Sequence, residues 1–395
     1  MNHMEELAGQ YWNALHEDVL PFWLHHSLDR EHGGYLTCLN AVGDVYDTDK
    51  FLWLQGRETW LFSALYNRLE PRGEWLDAAA LGARFLKSHG RNQQGDWYFA
   101  VDRHGRPVSG PWSIFSDCFV SMGLSQYALA AGDEEAARIA RETYERIWVR
   151  KRRHLLDPDP DVRAHRPIVE FPLSMILINL CLEFAWMLPE ERVQNDCRHA
   201  VDEVMHRFLD RATMLVRECV SPDGSSLDSF EGRRINPGHG VEAMWIVIAG
   251  CELLGDKETA QIAAEVALRQ LEFGWDQEHG GIFAFLDIEG RPPQELEWDQ
   301  KLWWAHLESI VTMLVSYNRT GVQEYLNWFD RLHEYTWLHF PDHRCGEWWG
   351  YLNRRGEVSL PIKGGKWKGC FHVPRGLWMA ALELGKAAAT PEETP

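Results

Sequence analysis

The segment DREHGGY at residues 29–35 recurs almost unchanged as DQEHGGI at residues 276–282, and this repeat determines the fold that the sequence predicts. Looser copies surround three further glycines, at positions 95, 224 and 346. Neighbouring copies are about 60 residues apart, and the gap of about two periods between Gly95 and Gly224 has a polar loop, 157–166, near its middle. Six similar units therefore fit the chain.

The segments between the glycine loops carry apolar residues at spacings of three and four, which is typical of helices. Several glycine loops continue into a short alternating run and a turn, at 99–105, 283–290 and 351–356, which predicts β-hairpins. Two helices in each of six units predict an all-α fold, an (α/α)6 barrel of twelve helices with short β-hairpin loops. We expect one domain over residues 1–395, with the glycine loops opposite or lateral to the pocket mouth. The twelve predicted helices are 4–26, 50–70, 74–90, 113–131, 134–150, 170–188, 191–210, 240–254, 257–274, 299–318, 322–339 and 372–387.

The composition restricts the classes of function. The net charge of −19 repels phosphate backbones and anionic membrane surfaces, so we expect neither nucleic acid nor a membrane as partner. No 18-residue apolar run predicts a membrane span, and the N-terminus lacks the pattern of a signal peptide. Eight cysteines without a C-x-x-C pair indicate a cytoplasmic protein with reduced thiols. Twenty tryptophans favour an aromatic-lined cavity of the kind that holds sugars, although many will be core residues.

Two histidines occur in matching contexts, each in a short segment bounded by glycine and proline at the start of a predicted helix. NPGHGVE at 236–242 places His239 in the first helical turn, with Glu242 three residues later on the same face. A helix N-terminus disfavours added positive charge, so His239 is expected to stay neutral and act as a base. His372 precedes Pro374, which suits a first turn. Each histidine alone could equally be a core or capping residue, but the pair favours function.

A third segment, WLQGR at 53–57, begins another predicted helix. Trp53 and Arg57 are four residues apart and share a helix face, and an arginine in such a place often binds a substrate oxygen. The alternative is a surface salt bridge from Arg57 to Glu58 or Asp49.

Two more segments complete the predicted pocket. On the helix that follows Trp298, Lys301, Trp304 and Glu308 align, and Glu308 could orient a histidine or accept a hydrogen bond from a sugar hydroxyl. The alternative is a satisfied ion pair between Lys301 and Glu308. The loop 363–372 carries Trp367 toward the pocket; it does not match the phosphate-binding pattern G-x-x-x-x-G-K-[ST]. The histidines are scattered and H-E-x-x-H is absent, so we expect no metal.

Two bases that titrate near neutrality, an arginine, carboxylates and indoles in one cavity suggest proton transfer at a carbon next to a carbonyl. In a sugar aldehyde that carbon is C2. One histidine would remove the proton, Arg57 would stabilise the enediolate oxygen, and the other histidine would return a proton.

At these residues the chain resembles the N-acylglucosamine 2-epimerase family, also called renin-binding proteins. The resemblance implies an (α/α)6 barrel and interconversion of N-acetyl-D-glucosamine and N-acetyl-D-mannosamine at C2. It implies His239 and His372 as the acid/base pair, Arg57 and Glu308 as essential residues, and a sugar site lined by Trp53, Glu242, Trp304 and Trp367. The matching segments are WLQGR at 53–57, SIFSDCF at 113–119, NPGHGVEA at 236–243, sequence like QLEWDQKLWW at 294–304, GEWWGYLNRRGEV at 346–358 and IKGGKWKGCFHVPR at 362–375.

One departure bears on the substrate. Relatives that epimerise cellobiose or isomerise mannose have a further pocket histidine in the helix corresponding to 170–180, and here that segment has none, as in the acyl-sugar members. A 2-epimerase or aldose–ketose isomerase of unsubstituted sugars is the alternative function, followed by a glycoside hydrolase or a non-catalytic sugar-binding protein. The resemblance implies that the chemistry needs no cofactor and allows ATP as an allosteric activator. We expect a homodimer.

Overall fold

The computed structural model describes residues 3–156 and 167–389, and each of the twelve predicted segments contains a helix. Within these residues, six inner helices each follow a long connection: α3 Leu52–Arg68, α5 Ile114–Ala131, α7 Pro172–Phe184, α10 Pro237–Leu254, α12 Trp303–Thr320 and α14 His372–Ala389. The outer helices are α4 Gly73–His89, α6 Glu134–Leu156, α8 Glu190–Asp202, α11 Lys257–Gly274 and α13 Gln323–His339. The sixth outer element joins α1 His3–Asn13, a π-helical segment Ala14–Val19 and α2 Leu20–His26. A second π-helical segment, Glu203–Phe208, extends α8, and α9 Phe230–Arg233 is a single turn.

The inner helices form a ring because they are buried on nearly every side. In α5 all residues from Ser116 to Ala128 are buried. Each inner helix packs on the next along the chain, from α3 through α5, α7, α10 and α12 to α14, and on its own outer partner. Aromatic contact between Trp60 of α3 and Phe371, directly before α14, closes the ring. The predicted (α/α)6 barrel is confirmed.

Short antiparallel strands lead into four of the inner helices and so fix where these helices begin. The strands are β1 Lys50–Phe51, β2 Ala100–Val101, β3 Pro107–Ser109, β4 Val169–Glu170, β5 Leu209–Asp210, β6 Leu215–Val216, β7 Cys219–Val220, β8 Arg234–Ile235, β9 Leu286–Asp287, β10 Lys301–Leu302, β11 Tyr351–Leu352 and β12 Val358–Leu360. In the described residues, two three-stranded sheets have the orders β1-β2-β3 and β10-β11-β12, and the other strands form the pairs β4–β7, β5–β6 and β8–β9. The predicted hairpins at 99–105 and 351–356 are present, whereas the strand within 283–290 pairs with the strand before α10.

The repeated glycines are explained by backbone conformation. Gly33, Gly95, Gly224, Gly280 and Gly346 have φ values of 80°, 84°, 85°, 73° and 79°, a region that residues with a Cβ rarely adopt. These turns follow the ends of outer helices and therefore lie at the same end of the barrel as the inner helix starts. Of the two positions expected for the glycine loops, the one opposite the pocket mouth is wrong, because the long connections cross over this end. The loops lie in the other expected position, lateral to the pocket and against outer helices. The polar loop 157–166 lies outside the described residues.

One cluster of buried apolar side chains runs through the described residues from Leu7 to Leu384. In the same part of the chain, no helix has both the length and the apolar character needed to cross a bilayer.

Candidate active site

His239 lies in the first turn of α10, as the turn chemistry before it predicts. The Asn236 side chain caps the helix by accepting a hydrogen bond from the His239 backbone N–H at 3.1 Å, and Pro237 occupies the first turn. Gly238 permits a close approach of α10 to α12, because a Cβ there would lie 2.8 Å from the Trp304 ring and 2.7 Å from Ala305. The local sequence therefore places the His239 ring beside α12.

The carboxylate that contacts His239 is Glu218, which the sequence analysis missed. His239 Nδ1 lies 3.1 Å from Glu218 Oε1 and 3.2 Å from Oε2. Burial by itself lowers the pKa of His239, but the charge and hydrogen bond of Glu218, together with the charge of Glu242, outweigh burial and raise the pKa above its usual value. The contact with a carboxylate therefore favours the charged form of His239, whereas the helix N-terminus led us to expect the neutral form. Glu242, expected as the neighbour on the same face, forms its ion pair elsewhere.

His372 begins α14 and has its own carboxylate, Glu308. The distance from His372 Nδ1 to Glu308 Oε1 is 2.8 Å, and Nε2 faces Arg57 Nη1 at 3.4 Å. Burial lowers the pKa of His372 to about 3; Glu308 opposes that shift, while Arg57 and Arg375 add to it. His372 is therefore neutral near pH 7 and can accept a proton.

Trp304 stands between the two histidines. Its ring centroid is 5.0 Å from that of His239 and 5.9 Å from that of His372. The indole forms part of the surface that both rings face. An aromatic face of this kind suits the apolar face of a sugar ring.

Beneath the histidines, Arg375 joins the two predicted carboxylates. Its Nη2 donates to Glu242 Oε1 at 2.8 Å and to Glu308 Oε1 at 2.6 Å, and Trp245 Nε1 donates to Glu308 Oε2 at 2.9 Å. Burial raises the pKa of Glu242, and the charge of Glu308 raises it further. Burial alone would raise the pKa of Glu308 as well, but Arg375 and His372 hold it well below its usual value. Their pKa values thus shift in opposite directions, and the neighbours of Glu308 favour its ionised form.

Glu242, Glu308 and His372 are also the one group in the described residues whose donor atoms lie close enough together to hold a metal ion, within 4.8 Å of one another. The Arg375 guanidinium lies within hydrogen-bonding distance of both carboxylates, and its Nη2 is 3.4 Å from His372 Nδ1. A positive charge of the protein's own already occupies the position that a cation would take.

Arg57 is held by aromatic rings rather than by an acidic partner. Its guanidinium carbon lies 4.4 Å from the centroid of Trp53, 3.9 Å from that of Phe119 and 4.7 Å from that of Phe371. Burial lowers the pKa of Arg57 to about 9, which still leaves it cationic at neutral pH. The alternative of a surface salt bridge is wrong. Trp53 continues the wall outward to Trp367, at 5.8 Å between ring centroids, and Trp367 is 52% exposed.

The eight predicted site residues form one connected group. Seven of them, including His372 and Trp304, are connected to these two rings by direct contacts or through Arg375 and Trp53. The eighth, His239, contacts Trp304. Lys301 does not belong to the group, since its ammonium pairs with Asp276 at 3.1 Å rather than with Glu308. Sequence reasoning missed Glu218, Trp245 and Arg375. The signal for Glu218 was a carboxylate inside a short apolar run, 215–220, and the signal for Arg375 was its position three residues after His372.

The chain is similar to known proteins of one family. A family model described as N-acylglucosamine 2-epimerase (GlcNAc 2-epimerase) matches residues 34–373. The N-acylglucosamine 2-epimerase of Rattus norvegicus is 39% identical over 383 residues, which cover 93% of this chain and 90% of that protein. The chain belongs to the N-acylglucosamine 2-epimerase family. The N-acylglucosamine 2-epimerase of Homo sapiens is 37% identical over 383 residues, 94% of this chain and 89% of that protein.

Solved structures similar to this family member share its fold. A D-mannose isomerase superposes with a TM-score of 0.82 at 19% identity, covering 94% of this chain and 97% of its own. The cellobiose 2-epimerase from Bacillus thermoamylovorans B4167 gives a TM-score of 0.81 at 18% identity, with coverages of 95% and 99%. As a member of the N-acylglucosamine 2-epimerase family, the protein is an isomerase.

Proposed function

We propose that this protein interconverts N-acetyl-D-glucosamine and N-acetyl-D-mannosamine by removing the proton from C2 of the open-chain sugar and returning a proton to the opposite face. The observation that carries the proposal is the pair of histidines beside Trp304, each with a carboxylate at Nδ1. That arrangement leaves Nε2 of His239 for the substrate and places Nε2 of His372 beside Arg57, where both can face the reacting carbon. Two bases on opposite sides of C2 need no rotation of the intermediate.

His372 removes the C2 proton in one direction. The C1 aldehyde acidifies that proton, and His372 is neutral because burial and two guanidinium groups disfavour its charged form. Arg57, 3.4 Å from His372 Nε2, is placed to stabilise the oxygen on which negative charge develops as the proton leaves. The guanidinium, stacked among Trp53, Phe119 and Phe371, cannot turn away.

His239 supplies the second proton. Its raised pKa favours the protonated form, so in this proposal His239 acts as the acid while His372 acts as the base. In the reverse direction the roles exchange: neutral His239 removes the proton and protonated His372 returns one. Glu308 stabilises the imidazolium that forms at His372 in either direction.

The N-acyl sugar is the preferred substrate in this proposal. Proteins named N-acylglucosamine 2-epimerase are 37% and 39% identical to the chain, whereas the cellobiose 2-epimerase of Dictyoglomus turgidum is 23% identical over 399 residues. Segment 170–180 also lacks the histidine that the resemblance associates with unsubstituted sugars. Trp53, Trp304 and Trp367 supply aromatic faces for the sugar ring.

A glycoside hydrolase would need two carboxyl groups that reach opposite sides of a glycosidic bond. Glu242 and Glu308 are 5% and 1% exposed, and both are bound to the same Arg375 nitrogen. They are therefore poorly placed to reach such a bond, and epimerisation is the better assignment.

Further proposals concern the setting of the enzyme. The protein groups at the site supply a base, an acid and a cation, so the chemistry needs no added cofactor, and ATP acts, where it acts at all, as an allosteric activator. All eight cysteines are free and seven of them are buried, which supports a reducing, cytoplasmic location. We also propose a homodimer. Activity after treatment with a chelator, measured with and without ATP, tests the proposals on cofactor and activator, and light scattering tests the homodimer.

The test of the function is proton NMR of N-acetyl-D-glucosamine incubated with the protein in D2O. We expect a new manno epimer and deuterium at C2. Parallel samples of D-glucose, D-mannose and cellobiose test the acyl preference, because faster turnover of an unsubstituted sugar would replace the proposed substrate. No C2 exchange in any of these sugars would refute the proposed reaction itself.

A further inference from the structure

Glu218 is given no proton to transfer in the chemistry just described, yet both its oxygens lie within hydrogen-bonding distance of one histidine nitrogen. Its side chain is 6% exposed, while that of His239 is 28% exposed. Among the described residues, no side chain other than Glu218 bonds the His239 ring, and Nε2 has no partner. One ring nitrogen is thus fixed and the other is available to a ligand.

The backbone holds Glu218 in place independently of His239. Its carbonyl accepts a hydrogen bond from Phe171 N at 2.9 Å, and its own N–H donates to Arg234 O at 3.5 Å. Phe171 directly precedes α7, and Arg234 belongs to the strand that leads into α10. The connections before two inner helices therefore position this carboxylate over the start of α10.

We propose that Glu218 is a positioning residue for the epimerase: it binds Nδ1–H of His239, and so directs Nε2 at the sugar and stabilises the protonated ring. The inference rests on the proposed two-histidine reaction. A carboxylate accepts hydrogen bonds only, so it requires the proton of a neutral imidazole to be on Nδ1 and leaves Nε2 as the basic atom. The same contact favours the imidazolium that must deliver a proton.

The charged groups that face His239 come from three elements: Glu218 before β7, Glu242 on α10 and Arg234 on β8. Arg234 is turned toward Glu295, with Nη1 at 3.0 Å from Oε1, and Glu242 is bound to Arg375. Of the three, Glu218 makes the direct contact with the ring. Its removal should change the charge and tautomer of His239 more than any other single change around the ring.

The experiment compares Glu218→Gln and Glu218→Asp with Glu183→Gln. Glu183 is a matched control, since it is a buried carboxylate paired with Arg68 at 2.6 Å near the opposite end of the barrel. A glutamine at 218 can donate to Nδ1 and so favour the wrong tautomer. We expect kcat to fall roughly 10- to 100-fold with KM little changed, as for other residues that orient a reactive group. Aspartate should restore part of kcat, and the control should keep wild-type kcat.

The pH dependence separates positioning from a merely structural role. In the direction that needs protonated His239, kcat/KM falls as pH rises through the pKa of His239. Glu218→Gln lowers that pKa, so this limb of the profile should move to lower pH, while Glu183→Gln leaves it in place. Wild-type kcat together with an unmoved limb of the pH profile in Glu218→Gln would overturn the proposal. A loss of kcat that Glu218→Asp does not relieve, and that parallels a fall in melting temperature, would overturn it as well.

A second readout does not depend on turnover. NMR titration of histidine ring signals, with His239 assigned from His239→Asn, should show a lower pKa for His239 in Glu218→Gln than in wild type. If wild-type protein exchanges no sugar proton, the reaction is wrong and this titration alone decides the role of Glu218. An equal His239 pKa in the two proteins refutes the positioning role even if the reaction is confirmed.

Discussion

Glu242 and Glu308 share one Arg375 nitrogen but should respond very differently to the same isosteric substitution. Burial and the charge of Glu308 raise the pKa of Glu242, so the loss of its charge should cost less than the loss of the charge of Glu308. Glu308 is ionised, and its oxygens accept from Arg375, His372 and Trp245. In Glu308→Gln the side-chain NH2 group, a donor, replaces one of the two acceptor oxygens that face these three donors. The buried Arg375 guanidinium also loses the charge of Glu308.

The magnitude follows from the burial of these groups. Removing one partner of a buried ion pair costs about 3–5 kcal/mol. For a chain of 395 residues this corresponds to a fall of about 4–6 °C in melting temperature, because the unfolding entropy scales with length. Loss of the group that stabilises the His372 imidazolium should reduce kcat by about 10²- to 10⁴-fold, the usual contribution of acid–base catalysis. Glu242→Gln should lose less than about tenfold in kcat and about 1 kcal/mol in stability.

The assay is the initial rate of N-acetyl-D-mannosamine formation by NMR, with thermal unfolding followed by circular dichroism on the same samples. Equal losses in the two variants would refute the assignment of opposite pKa shifts to the two carboxylates. A larger loss in Glu242→Gln would reverse it.

The remaining predictions concern the arginine, the two catalytic candidates and acid stability. Arg57→Lys should abolish most turnover with a melting temperature near wild type, because a point charge cannot reproduce the stacked planar fork; unchanged kcat would exclude the role. His239→Asn and His372→Asn should each lose epimerisation but exchange the C2 hydrogen of opposite epimers in D2O, and exchange of the same epimer in both would contradict two opposed bases. Burial lowers the pKa of His372 and His306 to about 3 and that of His333 to about 4, so the unfolded chain binds more protons than the folded one below pH 6.5. Stability should therefore fall as pH decreases from about 6.5 toward 4, and a flat melting temperature over this range would show that the three rings are not buried in neutral form.

The sequence predicts the helices well because their apolar spacing and caps are local features. The segment 257–274 is helical over the same residues as predicted, and the Asn236 cap sets the start of α10. The strand within 283–290 does not form the predicted local hairpin. A two-residue strand pairs with whichever strand lies beside it in the folded barrel, and here that strand is β8. Nothing within that segment encodes the neighbour.

The catalytic candidates are predictable as far as their local contexts go, and their partners are not. His239 and Glu242 share a helix face, but α10 is buried on nearly every side, so a side chain in its first turns can face another helix instead of its neighbour. Glu242 meets Arg375 of α14 across the barrel, and His239 meets Glu218 from the preceding loop. Contacts between distant segments depend on how the six units close, which spacing along one helix does not reveal.

Each histidine has its own carboxylate at Nδ1, and yet their pKa values shift in opposite directions. Burial lowers the pKa of both rings, and the difference between them follows the cations near each. Both Arg57 and Arg375 have a nitrogen 3.4 Å from the His372 ring, so Glu308 is shared between that ring and a guanidinium. Glu218 has His239 as its side-chain partner. In the proposed reaction the resting enzyme holds base and acid on opposite sides of C2, and each turnover reverses the pair. Before the next turnover in the same direction, His239 must regain a proton and His372 must lose one. The 28% exposure of the His239 side chain gives it access to water, whereas the His372 side chain is 9% exposed, so the release of its proton is the more hindered step of the reset.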